Sequence, residues 1–221
     1  MCGRYNLITC SDALVEHFKL QQPVRFQSSY NITPAQKILT IVELEDQSKK
    51  SVNLFWGLVP SWAKDVKIGA KMINARSETI LEKASFRTAF SRRRCLVPAT
   101  SFFEWKQDKV KKPYVIKLVG GEIFSMAGIW EKWKSPEGLF VNSFSIITTE
   151  ANSAMQALHH RMPVILSKQN ENVWLSDLPV DELFKLLQPC PDEWLDIYQV
   201  SDLVNAPKND VPEILLPVSP G

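Results

Sequence analysis

The sequence lacks any apolar run long enough to cross a membrane. Its longest, such as 54–60, falls far short of the roughly 20 residues that span a bilayer. It also lacks a basic-then-apolar leader, which points to the cytoplasm. The four cysteines, Cys2, Cys10, Cys95 and Cys190, form no CxxC pair, so neither a zinc centre nor a redox motif is indicated. Free thiols in a reducing compartment fit them better, and no metal or cofactor is expected. Charge of one sign is missing too: 26 Lys and Arg against 24 Asp and Glu leave a net +2. That balance announces no nucleic-acid binder, and any such surface must be local. With no repeat, low-complexity stretch or linker, 221 residues at 45 % hydrophobic content read as one domain, 2–221, able to bury a core.

What the sequence does have begins at Met1-Cys2-Gly3-Arg4. An initiator Met before a residue as small as Cys is normally removed, so the mature chain is expected to start at Cys2. That residue then carries both an α-amine, with a pKa of about 7.7–8.0, and a thiol at about 8.5, a few per cent thiolate at neutrality. A 1,2-aminothiol condenses with an aldehyde through the amine, and the thiolate closes a five-membered thiazolidine on the same carbon with high effective molarity. The competing reading is a small residue that opens a first strand.

Along the chain, a strand is expected over 3–9 and a helix over 13–20, capped by Ser11-Asp12. The segments 37–44 and 51–58 read as an antiparallel hairpin. Helical stretches follow at 77–83 and 85–93. The chain then turns mainly β, with strands at 95–97, 102–106, 113–118, 122–130 and 139–149, and Gly120-Gly121 as a hairpin turn between the third and fourth. Further helices are expected at 151–158, 168–175 and 181–187, a short strand at 162–166 and a late one at 194–200.

Several small constellations bear chemistry. In Phe102-Phe103-Glu104-Trp105-Lys106 a carboxylate among aromatics tends toward desolvation, a raised pKa and proton shuttling, although a Glu paired with Lys across strands explains it as well. His159-His160 supplies two of the three histidines, which titrate near neutrality; adjacent side chains are expected to diverge, so one at most enters a given site. Asn74 and Arg76 share a face if extended, suited to a sugar hydroxyl and a phosphate, or equally to a turn and a surface. Trp62 beside Pro60 is a candidate wedge against bases.

Taken together and in order, Met1-Cys2-Gly3-Arg4-Tyr5, Tyr30-Asn31-Ile32-Thr33-Pro34, Trp56-Gly57-Leu58-Val59-Pro60-Ser61-Trp62, Asn74-Ala75-Arg76-Ser77-Glu78, Arg94-Cys95-Leu96-Val97-Pro98-Ala99, Phe102-Phe103-Glu104-Trp105 and His159-His160-Arg161-Met162-Pro163 resemble the SOS response-associated peptidase (SRAP) family, the abasic-site processing proteins. The resemblance implies an α+β domain with a curved, barrel-like, mainly antiparallel sheet flanked by helices. It also implies a basic channel for single-stranded DNA, and a covalent thiazolidine with abasic-site aldehydes. Carried over, it makes Cys2 the nucleophile and Asn74, Glu104 and His159 its supporting site. His159 is preferred to His160 because the family's His precedes a variable residue and then Arg161. Arg4, Arg76 and Arg161 match phosphate-contacting positions, and Asn31, Pro34 and Trp62 fall in segments lining the DNA site. The implied partner is single-stranded DNA bearing abasic sites, including junctions with duplex, bound by a monomer. The short chain after Leu216-Pro217-Val218 implies action without the C-terminal sliding-clamp tether of some animal members. The competing readings are a cysteine peptidase using Cys2 with His159 and Glu104, acting only on Met1 or more widely, and a nucleic-acid-binding module in which Cys2 is inert.

Overall fold

A computed structural model describes residues 2–106 and 110–218; the expected removal of Met1 therefore lies outside the described residues. Thirteen strands and five α-helices follow in the order β1 (Tyr5–Leu7), α1 (Ser11–Phe18), β2 (Ser29–Ile32), β3 (Lys37–Glu43), β4 (Lys49–Trp56), β5 (Asn74–Arg76), α2 (Arg87–Arg92), β6 (Arg94–Ala99), β7 (Ser101–Lys106), β8 (Lys112–Leu118), β9 (Phe124–Lys134), β10 (Phe140–Glu150), α3 (Ser153–Gln156), β11 (Arg161–Pro163), β12 (Ile165–Leu166), α4 (Lys168–Leu175), α5 (Val180–Phe184) and β13 (Leu195–Gln199). Among the described residues no helix is long and apolar enough to cross a membrane.

Two sheets carry the fold. One runs β13-β8-β7-β1-β2, antiparallel throughout. The other contains β10-β4-β3-β6-β9, and because β9 also pairs with β10 those five strands close on themselves. Closure removes the exposed edges of an open sheet, and it meets the expectation of a barrel-like, mainly antiparallel α+β core. The exceptions to antiparallel pairing are β10 with β4 and with β5. Strand alternation sorts the side chains of β7: Phe102 enters the main core, while Phe103 faces a second cluster with Val115, Val200, Val204 and Ile214. The tail is held by that second cluster, since burying a side chain such as Phe103 or Ile214 is worth about 1.5–3 kcal/mol.

The β3–β4 hairpin and α4 lie where the residue pattern puts them. Other segments differ. Gly120-Gly121 joins no hairpin, because β8 pairs with β7 and β13 while β9 pairs with β6, β10 and β12. The positive φ of both glycines, 91° and 72°, instead lets the chain step from one sheet to the other. Ser11 does not cap α1; the cap position is Cys10, without a side-chain bond, and Ser11 Oγ accepts from the Val24 amide at 3.1 Å. The helix expected over 77–83 is reduced to a 3-10 turn, Ser77–Thr79, and that over 151–158 to the four residues of α3, capped by Asn152.

Candidate active site

The amino terminus is laid into the core by β1. Its register against β7 is Tyr5 opposite Phe102 and Asn6 opposite Ser101, and the Phe103 amide donates to the Arg4 carbonyl at 2.9 Å. Continued outward, that antiparallel register places Glu104 level with Gly3, beside Cys2. Cys2 is wholly buried. Its Sγ lies 4.0 Å from Met126 Sδ on β9, and its carbonyl accepts from Asn74 Nδ2 at 2.8 Å. Asn74 reaches it because β5 runs parallel to β10 with Asn74 level with Ile146. With Nδ2 so engaged, Asn74 Oδ1 is buried with no hydrogen-bond partner among the described residues.

Burial pushes the Cys2 thiol up to about 12, the negative charge of Glu104 adds to the rise, and the amino terminus and a bond from the Arg4 backbone oppose it. The few per cent of thiolate expected for an open cysteine is therefore corrected: this thiol is protonated at neutral pH, because it sits out of water beside a carboxylate. Glu104 is itself buried, at 5 % exposure, and its Oε1 accepts from the Trp105 amide at 3.3 Å.

His159 arrives on the turn between α3 and β11. The Arg161 amide donates to its Nδ1 at 2.9 Å, so the neutral ring carries its proton on Nε2. Partial burial lowers its pKa; Glu104 pulls the other way, while the amino terminus and His160 reinforce the lowering. Glu104 thus acts electrostatically on both Cys2 and His159. The two histidines do not diverge as expected from extended backbone. Their rings stack at 4.3 Å and 22°, since the turn points both the same way. His159 is the half-buried one; exposed His160 lines a hollow of about 330 Å³ with Arg76, Glu150 and Arg161.

The remaining expected residues fall into three places. Arg76 is exposed on β5 at the mouth of that hollow. Arg161, expected at a phosphate-contacting position, is buried at 6 % exposure, gripping both oxygens of Glu78 at 2.5 and 2.9 Å and the Thr148 carbonyl at 2.7 Å. Glu78, which partial burial alone would raise, is held below the usual carboxylate range by that guanidinium. Arg161 therefore fixes the start of β11, directly after the turn that carries His159.

Arg4 and Asn31 form a second place. Arg4 Nη1 donates to Asn31 Oδ1 at 2.8 Å and to the Val204 carbonyl at 2.7 Å, with its guanidinium 5.7 Å from the centre of the Trp105 ring. Asn31 is buried, and its Nδ2 donates to the carbonyls of Ala206 and Asn209. Its amide capacity is directed into the tail.

Pro34 and Trp62 make the third place. Pro34 opens a turn completed by Ala35 at a φ of 67°. Trp62 stands 58 % exposed on a loop whose base is fixed by the close approach of Gly57 to Gly69: a Cβ on Gly69 would lie 2.5 Å from the Gly57 carbonyl oxygen. Only glycines permit that contact. Sequence reasoning missed Met126, Glu78 and the contact of Trp105 Nε1 with Asn205 Oδ1 at 2.7 Å. The partners lie 124, 83 and 100 residues apart in the chain, so no local pattern could announce them. Among the described residues no cluster of three or more His, Cys, Asp or Glu side chains is arranged to hold a metal.

Comparison with known proteins agrees with this geometry. A family profile described as SOS response associated peptidase (SRAP) matches residues 1–207. The chain is 46 % identical over 222 residues to the abasic site processing protein YoqW of Bacillus subtilis (strain 168), covering 97 % of this chain and 99 % of that one. It is 32 % identical over 233 residues to the abasic site processing protein HMCES of Gallus gallus, covering 89 % of this chain and 68 % of that one. A crystal structure of a protein from Bacteroides thetaiotaomicron is similar with a TM-score of 0.89 at 30 % identity, over 99 % of this chain and all of that one. On a match of this extent, the chain belongs to the SOS response associated peptidase (SRAP) family.

Proposed function

We propose that this protein processes abasic sites in single-stranded DNA, capturing the lesion's aldehyde as a thiazolidine on Cys2 once Met1 has been removed. One observation carries the reading. Side chains from three separate segments gather at the chain's amino end: Asn74 bonds the Cys2 carbonyl, Glu104 acts electrostatically on the Cys2 thiol, and His159 interacts with Glu104 and the amino terminus. Its relatives' names as abasic site processing proteins point the same way.

The order of steps follows from the protonation states. With the thiol near 12 and a terminal α-amine near 8, the amine attacks first. Abasic deoxyribose is mostly a closed hemiacetal; its opening takes the proton from the anomeric hydroxyl and returns one to the ring oxygen through water, and His159 Nε2–H, as a hydrogen-bond donor to the ring oxygen, stabilises the charge that develops there. The amine adds to the aldehyde, and the carbinolamine loses water to give an imine. Glu104 then takes the thiol proton as sulfur adds to the imine carbon, and a proton returns to nitrogen; the balance is protein plus DNA minus one water. Asn74 Oδ1, a buried acceptor without a partner among the described residues, holds the reacting amine. Arg76 and Arg4 supply phosphate affinity without sequence readout, which suits a lesion that has no base. A peptidase role is confined to Met1 under this reading, because a buried protonated thiol is poorly placed to attack an external amide.

Intact mass spectrometry tests it, before and after incubation with a single-stranded oligonucleotide carrying one abasic site. The expected result is a starting mass without Met1, then a reductant-independent species at protein plus oligonucleotide minus one water. Failure of a protein that begins at Cys2 to form this species overturns the proposal.

A further inference from the structure

The hairpin of β9 and β10 reaches away from the site and ends in an exposed aromatic flanked by cations. Phe140 is 58 % exposed and its neighbour Leu139 is 69 % exposed. Lys132 Nζ stands 4.2 Å and Lys134 Nζ 5.7 Å from the centre of the Phe140 ring. The register explains the grouping: Lys134 is opposite Phe140 and Lys132 opposite Asn142, so alternation puts all four on one face. Beside them Phe140 lines a hollow of about 370 Å³ with Lys37, Phe55 and Val66. The acidic neighbours are already engaged: Glu131 by Arg93 at 2.6 Å, and Glu137 of the turn by Ser135.

The patch is continuous with the site through β10. Asn74 is level with Ile146. Further along, Ser143 Oγ accepts from Val59, just before the Trp62 loop, and Trp133, opposite Val141, donates from Nε1 to the Ala63 carbonyl at 2.7 Å. Phe140 closes the series, about 20 Å from Ile146 at some 3.4 Å per strand residue. Trp62 lies between Val59 and Ala63, which bond Ser143 and Trp133, so exposed Trp62 and exposed Phe140 both lie at the outer part of this hairpin, the Trp62 loop on one face and Phe140 with the lysines on the other.

We propose that Phe140, Lys132 and Lys134 form a stacking platform for single-stranded nucleic acid, which holds the strand several nucleotides from the captured lesion. An exposed ring offers a π-face to any base, and ammonium groups beside it neutralise the phosphates on either side; this combination binds a strand without reading its sequence. The proposal rests on the abasic-site reading and extends it from the lesion to the flanking strand.

The test compares oligonucleotides of about 5 and about 16 nucleotides, each carrying one abasic site, with the longer ones extended either 5′ or 3′ of it. Affinity is measured with Cys2→Ser protein, and adduct yield with protein bearing Cys2. The expected result is that extension on one side tightens binding. Phe140→Ala should remove about tenfold or more of that gain, Phe140→Trp should restore it, and Lys132→Ala with Lys134→Ala should reduce the salt slope of log Kd by about 1.4, at 0.7 for each lost phosphate contact on a single strand. All three positions are on the solvent side of the hairpin, and circular dichroism checks that the variants fold. Affinity that is indifferent to extension on both sides, or indifferent to all three substitutions, overturns the platform. Adducts on the short oligonucleotide report separately on the Cys2 chemistry, so loss of the platform and loss of the abasic-site reading give different results.

Discussion

At the scale of single residues, Glu104 does two things with opposite consequences. Its charge raises the Cys2 thiol, which works against the proposed ring closure, and in the proposed mechanism its carboxylate is the base that closure needs. The sign of a substitution separates them. Glu104→Gln removes the charge with little change in shape, so a purely electrostatic role would leave a more acidic thiol and faster adduct formation. The proton-transfer role gives slower formation, by about 10²-fold, the low end of general acid–base contributions. Single-turnover crosslinking near neutral pH should show the slowing, with affinity for unmodified single strand roughly unchanged. Faster crosslinking would remove Glu104 from the proton path. Had Cys2 been an open thiol, as the sequence alone suggests, this distinction would not arise; only its placement against Met126 and out of water creates it.

Elements show why some of this molecule is legible in its sequence and some is not. Helix α4 is readable because its start is local: Ser167 Oγ accepts from the Asn170 amide. The β3–β4 hairpin is readable because strands and turn are contiguous. Gly120-Gly121 misleads for the same reason, since it has the chemistry of a hairpin turn while strand pairing is decided by distant partners. The site divides likewise. Cys2, Asn74, Glu104 and His159 are nameable from motif blocks, but the engagement of Arg161 by Glu78, and of Arg4 and Asn31 by the tail, depends on side chains brought together by folding. The tail also supplies a prediction of its own. Asp210 accepts from the amides of Tyr30 and Asn31 at 2.5 and 3.0 Å and binds Ser29 Oγ at 3.2 Å, fastening 205–210 along β2 where the tail meets Arg4. Asp210→Ala should cost about 1–3 kcal/mol, because it strands backbone donors, and it should loosen the segment that orients Arg4. Urea unfolding measures the first, and hydrogen exchange at the Asn31 amide the second. An amide as protected as in the parent protein would show that the tail is held without Asp210, by its apolar cluster and its bonds to Arg4 and Asn31.

For the whole molecule, pH tests how far the core excludes water. Burial raises the Cys2 and Cys190 thiols to about 12 and Cys95 higher still, and the buried Tyr5 hydroxyl rises with them. An unfolded thiol titrates near 8.5. Above that pH the unfolded chain has released protons that the native state keeps, so stability falls by roughly 1.4 kcal/mol per pH unit for each such thiol, until the native values are reached. The full contribution is present below about pH 8.5. On the acid side the sign reverses. Glu78, held down by Arg161, and Glu171, held down against its burial by His17 and Ser125, stabilise the protein above the unfolded carboxylate range near 4.3, and that contribution is lost as pH falls through their native values. The alkaline limb carries the sharper prediction, because it belongs to identifiable thiols. Cys95 packs so closely on β9 that a Cβ on Gly128 would lie 2.7 Å from its sulfur. Cys95→Ala leaves a void there, and the variant should start less stable at about pH 7.5. Its further loss of stability up to about pH 10 should nevertheless be shallower than that of the parent protein by one thiol's share. Urea midpoints across that range give both slopes. Parallel slopes would mean that Cys95 releases its proton as readily folded as unfolded, and that water reaches the barrel interior around it.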